Sequence, residues 1–119
     1  MNPSSGIHQL VGEELNIVAF VMDYVEFHLN GPVLRVFVNP TDDIDGASWT
    51  FPQASSRDRL CQLIGKTVGA VSAVEDVAIE LSFTDGARLR IPLDRSSRAG
   101  PEAAHFQSER YNSPDLTVW

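Results

Sequence analysis

From Tyr24 to Val38 apolar and polar residues alternate on both sides of an Asn-Gly dipeptide. Val25, Phe27 and Leu29 interleave with Tyr24, Glu26 and His28, the period of two that marks a half-buried strand. Asn30-Gly31 supplies the two positive-φ residues of a type I′ turn. Counting outward from that loop sets Phe27 against Leu34 and Val25 against Val36, so these four apolar side chains share one face. The same count sets Glu26 against Arg35 on the other face, a favourable cross-strand pair, and pairs Tyr24 with Phe37 there. Leu15 to Val21 is rich in β-formers and adds a strand in front, making a three-stranded meander. Asn39-Pro40 ends it, because proline donates no ladder bond and restricts the residue before it.

The pattern then returns. Leu63-Ile64-Gly65-Lys66-Thr67-Val68 echoes Leu10-Val11-Gly12-Glu13-Glu14-Leu15. Ile79, Leu81 and Phe83 take the places of Val25, Phe27 and Leu29, and Leu89 and Ile91 those of Leu34 and Val36. The second turn is one residue longer, and a two-residue loop there would set Leu81 against Arg90. A three-residue loop, Thr84-Asp85-Gly86, sets Leu81 against Leu89 instead, with Gly86 in the αL position of a G1 bulge. We read this as an internal repeat. Two meanders with one apolar face each must cover one another. The expected fold is therefore α+β and mainly antiparallel β, a sandwich or small barrel with one short helix.

That helix is expected over about 56 to 64, with Ser55 and Ser56 as N-cap candidates and Asp58 three residues after Ser55. Leu60, Leu63 and Ile64 form its apolar stripe, and Gly65 terminates it. It would cross an open end or edge of the sheets. A single domain over 1–119 follows: repeat one about 10–39, crossover and helix about 40–64, repeat two about 63–93, tail 94–119. Residues 1–8 read as a loose lead-in, 41–54 as a turn-rich crossover and 94–100 as a loop. Residues 101–106 fit a helical turn with Pro101 at its first position or a strand along a sheet edge. Leu116 to Trp119 reads as an added edge strand.

Composition narrows the partners. A chain of 119 residues, 43% of them hydrophobic, can bury a core without a metal or disulfide staple. The net charge of -7 argues against nucleic acid and anionic membranes, which need a basic footprint. It favours a basic protein partner. Cys61 is the single cysteine, which excludes an internal disulfide and fits a reducing compartment. Beside the helix stripe it is expected to be buried and inert. Met1 to Gly6 lacks the character of a secretory signal, and the apolar run Ile17–Met22 is too short to cross a bilayer, so a cytoplasmic protein is expected.

Candidate chemistry is sparse. Gly65-Lys66-Thr67 looks like the end of a P-loop, but the glycine that motif needs five residues earlier is Leu60. Asp43-Ile44-Asp45-Gly46 looks like a calcium loop, but its twelfth ligand would be Pro52. The acidic run reads as a solvated turn. His8, His28 and His105 have no ligand spacing with each other or with Cys61, so no metal or cofactor is expected. His28 could form an acid/base cluster with Asp23 and Glu26, and His105 with Glu102. Tyr24 and Phe37, with Trp49 near them in sequence, could form an exposed patch suited to a partner, or be covered by the 41–54 crossover or the C-terminal tail.

Phe20-Val21-Met22-Asp23-Tyr24-Val25, Asn30-Gly31-Pro32, Leu63-Ile64-Gly65-Lys66-Thr67-Val68, Gly100-Pro101-Glu102-Ala103-Ala104-His105-Phe106 and the closing Trp119 resemble a group of small uncharacterised bacterial proteins, a family defined by a domain of unknown function. The resemblance spans nearly the whole chain and implies no activity. In size, acidity and α+β content the chain is also loosely similar to immunity proteins that neutralise toxins. The reading is a non-catalytic protein-interaction module, immunity-type in its sharper form, with the binding residues Tyr24, Phe37, Trp49, His28 and His105. Its partner would be a basic protein or a second copy of the chain. The alternative is a small enzyme or ligand-binding barrel using Asp23, Glu26 and His28, or Glu102 and His105.

Overall fold

The computed structural model describes residues 3–108 and 116–119. Within these, the first half of the chain forms β1 (Ile17–Val21), β2 (Tyr24–His28), β3 (Val33–Val36), β4 (Thr41–Ile44) and β5 (Ala47–Thr50). The helix α1 (Ser56–Cys61) follows, then β6 (Val68–Val74), β7 (Ala78–Phe83), β8 (Arg88–Pro92), β9 (Ala104–Gln107) and β10 (Leu116–Val118). All pairings are antiparallel, in two five-stranded sheets ordered β1-β2-β3-β9-β10 and β5-β4-β8-β7-β6. Neither sheet closes into a barrel, so the fold is an α+β sandwich.

The first hairpin has the expected register: Phe27 opposes Leu34, Val25 opposes Val36 and Glu26 opposes Arg35. Asn30 and Gly31 both have positive φ, 59° and 125°, as a type I′ turn requires. In the second hairpin Leu81 opposes Leu89 and Ile79 opposes Ile91, and Gly86 takes φ 97°. The longer loop thus keeps the apolar face intact. Inward-facing residues of both sheets, among them Phe27, Leu34, Phe106, Leu81, Leu89 and Ile91, merge into one buried cluster.

The two meanders are cross-braced by the stretches that look alike in sequence. The Gly12 amide donates to the Val68 carbonyl at 2.8 Å, and the Gly65 amide donates to the Leu15 carbonyl at 2.8 Å. The Leu15 amide donates to the Lys66 carbonyl at 3.0 Å, and the Val68 amide donates to the Glu13 carbonyl at 2.9 Å. These bonds exchange under the correspondence of Leu10–Leu15 with Leu63–Val68. Each meander is also extended by a strand pair from the other half of the chain: β9–β10 joins β3, and β4–β5 joins β8. The 3-10 segment Pro3–Leu10 packs on β6 and β10, and α1 packs on β1 and β5, so each covers one open side of the sandwich.

Several expectations are corrected. Residues 41–54 are not a turn-rich crossover, since β4 and β5 form a hairpin around Asp45-Gly46, φ 55° and 80°. Residues 3–8 of the lead-in are not loose, because Ile7 and Leu10 are fully buried; Met1 and Asn2 lie outside the described residues. The helix stops at Cys61 and the chain continues in tight turns that leave Ile64 exposed. Ser55 makes no side-chain capping bond. Cys61 lies on the outer side of α1 and is exposed, not buried. The loop at 94–100 contains a 3-10 turn, Arg95–Ser97. Ala104–Gln107 is an interior strand between β3 and β10, and Leu116–Val118 is an edge strand as expected.

Candidate functional site

In both sheets the strand alternation sends every second side chain away from the core, and the two outer faces differ. That of the second sheet is formed mainly by Ser72, Glu80, Ser82, Arg88, Arg90 and Thr41, with exposed Val74 on β6 at the position matching Val21 on β1, and exposed Val77 in the β6–β7 turn. Such a face needs no cover. At matching positions the first sheet carries Ala19 in place of Ser72, His28 in place of Ser82 and Val33 in place of Arg88. Its edge strands add the exposed Ile17, Val21, Leu116 and Val118, and the β1–β2 turn adds Met22, which is 96% exposed.

Aromatic and charged groups cross the middle of this face. Tyr24 and Phe37 pack with ring centroids 5.5 Å apart, and Phe37 meets the edge of His105 at 4.9 Å. The Arg35 guanidinium lies 5.2 Å over the Tyr24 ring, and its Nε donates to Glu26 Oε2 at 2.8 Å. His28 Nε2 lies 3.0 Å from the other Glu26 oxygen. Partial burial raises the Glu26 carboxyl, but the hydrogen bonds from His28 and Arg35, and the Arg35 charge, hold it below its ordinary value on balance.

Four of the five expected binding residues share this face: Tyr24, His28 and His105 occupy outward positions on β2 and β9, and Phe37 follows directly after β3 and packs on Tyr24 and His105. Trp49 does not join them. It sits on β5 of the second sheet, under the Arg59 guanidinium, 4.3 Å from the ring centroid. Nor do the acid/base groups assemble as spaced in the sequence. Glu26 and His28 stay with Arg35, while Asp23 lines a depression with Glu102 and His105. That depression, about 420 Å³, is walled by Phe37, Glu102 and His105 and floored by Ala99-Gly100-Pro101. Glu102 hydrogen-bonds His105 Nε2 within it. The depression opens on the outside of the first sheet, where solvent reaches it, and not within the buried cluster between the sheets.

Asp42, within the stretch expected to be a turn-rich crossover, points inward from β4 and is only 1% exposed. Burial pushes its carboxyl above the ordinary range, partly offset by Arg59, whose Nη2 lies 3.4 Å from Asp42 Oδ1. Arg59 also donates to the carbonyls of Ala47 at 2.8 Å and Ile44 at 3.2 Å, so it ties α1 to the β4–β5 turn. The signal was present: Asp45-Gly46 fixes a hairpin, and that parity points Asp42 inward with Ile44. With a cation against it from a buried helix face, the group is structural.

Among the described residues, no group of three or more His, Cys, Asp or Glu side chains is placed to hold a metal ion. No helix there is long and apolar enough to cross a membrane. Comparison with protein-family models, with curated proteins and with solved structures found no match to this chain.

Proposed function

We propose that this protein is a non-catalytic protein-interaction module that presents the outer face of its first sheet to a basic protein. The observation that carries the reading is the contrast between the two outer faces. Sheets of the same strand order and matching register tolerate serine, threonine and arginine outward on the second sheet. The fold therefore does not require the Tyr24–Phe37–His105 row or its rim of Ile17, Met22, Leu116 and Val118 on the first. Aromatic residues and arginine within an apolar surround are the composition of a binding surface. The net charge of -7 steers a basic partner toward it. In the immunity-type form of this reading the partner is a toxin held in a tight one-to-one complex, in the cytoplasm where Cys61 stays reduced.

The test is affinity chromatography from a lysate of the source cells, with the Tyr24→Ser/Phe37→Ser variant as control and light scattering on whatever is retained. A basic protein bound one-to-one, released by moderate salt and lost in the variant, supports the reading. Retention that the variant preserves, or a homodimer that retains nothing, overturns it.

A further inference from the structure

We infer that the depression beside Phe37 takes an arginine side chain from an extended segment of the partner, an inference that rests on the interaction reading above. Its walls combine two different attractions for a planar cation. Asp23 makes no hydrogen bond or ion pair with any described residue, so its carboxylate is available to a guest. Glu102 is held by His105, and that bond fixes its carboxylate at the wall of the depression. Between them the Phe37 ring offers an apolar surface. A guanidinium can stack on such a ring and hydrogen-bond a carboxylate with its planar fork. An ammonium, more strongly hydrated and without a plane, uses only the charge.

The chain already seats two of its own arginines in this way, Arg35 over Tyr24 with Glu26 and Arg59 over Trp49 beside Asp42, and it stacks Arg57 5.0 Å over Phe51. Phe37 is the aromatic residue beside two carboxylates that has no internal arginine over it among the described residues.

The surroundings favour a side chain carried on a backbone over a free small molecule. A second depression of about 200 Å³ shares Asp23 and Phe37 and runs toward Phe51 and Arg57. A third, of about 400 Å³, shares Ala99, Gly100 and Pro101 and runs toward Arg95 and Arg98. The two depressions adjoin the first through those shared residues, with Arg57 lining one and Arg95 and Arg98 the other. An extended segment with a central arginine and acidic residues on either side matches that charge order.

The experiment is a 15N NMR titration of the full chain with three capped tripeptides, acetyl-Gly-Arg-Gly-amide and its lysine and glutamine counterparts. The arginine peptide is expected to saturate with a millimolar Kd and to shift the amides of Asp23, Phe37, Gly100, Glu102 and His105. The lysine peptide should bind several-fold more weakly, and the glutamine peptide should not saturate. Asp23→Asn and Glu102→Gln should each weaken arginine binding about fivefold, the scale of a partly exposed charge, and Phe37→Leu should abolish the preference over lysine. No saturable arginine shift, equal response to glutamine, or indifference to both carboxylate variants overturns the inference. If those results come with a retained partner that the Tyr24→Ser/Phe37→Ser variant loses, the pocket assignment fails and the interaction reading stands.

Discussion

Replacing Arg59 by alanine removes the cation that faces a carboxylate only 1% exposed, and the structure sets the size of the response. Breaking a buried ion pair from one side costs about 3–5 kcal/mol, because the remaining charge stays desolvated and unpaired. The separation of 3.4 Å and the partly exposed Arg59 side chain place this pair at the low end, about 3 kcal/mol. The two carbonyl bonds from Arg59 and its stacking on Trp49 are lost as well. A domain of this size unfolds with an entropy of about 0.25 kcal/mol per kelvin near its midpoint, so the loss lowers Tm by about 12 °C at pH 7.

The pH dependence gives this prediction its sign. Burial raises the folded-state pKa of Asp42, so Asp42 contributes stability below its unfolded value, about pH 4, that is lost as pH rises through the folded value. Without Arg59 the folded value rises further. The penalty of Arg59→Ala, measured against wild type by circular dichroism, should therefore shrink as the pH falls from 7 toward 4.5. Adding Asp42→Asn should recover much of the loss at pH 7. A Tm drop below about 4 °C, or one unchanged between pH 7 and pH 4.5, would refute the buried-charge account.

Three further outcomes are expected. Glu26 is held below its ordinary pKa, so it contributes stability above its unfolded value that is lost as pH falls through the lower folded value; Glu26→Gln should flatten the acid limb of a urea-midpoint profile below about pH 4.5. Gly12 and Gly65 have φ of 89° and 94° with open space where a Cβ would project, so alanine at either should cost about 1–2 kcal/mol in urea unfolding, through backbone strain alone. Exposed Cys61 should react fully with a thiol reagent in the native protein, at a rate that denaturant changes little.

The sequence disclosed those parts of the fold in which local signals agree. The first hairpin was readable to the residue because Asn30-Gly31 and the alternation around it demand one register. The second was readable because its extra turn residue has a single conformation that keeps Leu81 against Leu89. The β4–β5 hairpin was lost although Asp45-Gly46 announces its turn, because Asp42 stands inward where alternation calls for an apolar residue. Its partner Arg59 lies beyond the hairpin in α1, and no local pattern ties the two together. Cys61 is exposed because it stands about 100° round the helix from buried Leu60, on the side where Ile64, expected to widen the stripe, is itself exposed. For the candidate site, parity alone put Tyr24 and Phe37 on one outer face. That His105 stands beside Phe37 depends on β9 pairing with β3, a contact across most of the chain. Trp49 is near that pair in sequence only.

The measurement that bears most directly on the binding face is a 15N NMR comparison of the free protein with its complex with the retained basic partner. The two sheets serve as each other's control. Binding by the outer face of the first sheet predicts shifts or broadening at Tyr24, Arg35, Phe37 and His105, with Ser72, Glu80, Ser82 and Arg90 unchanged. Perturbation centred on the second sheet, with the Tyr24–Phe37–His105 row silent, would contradict it.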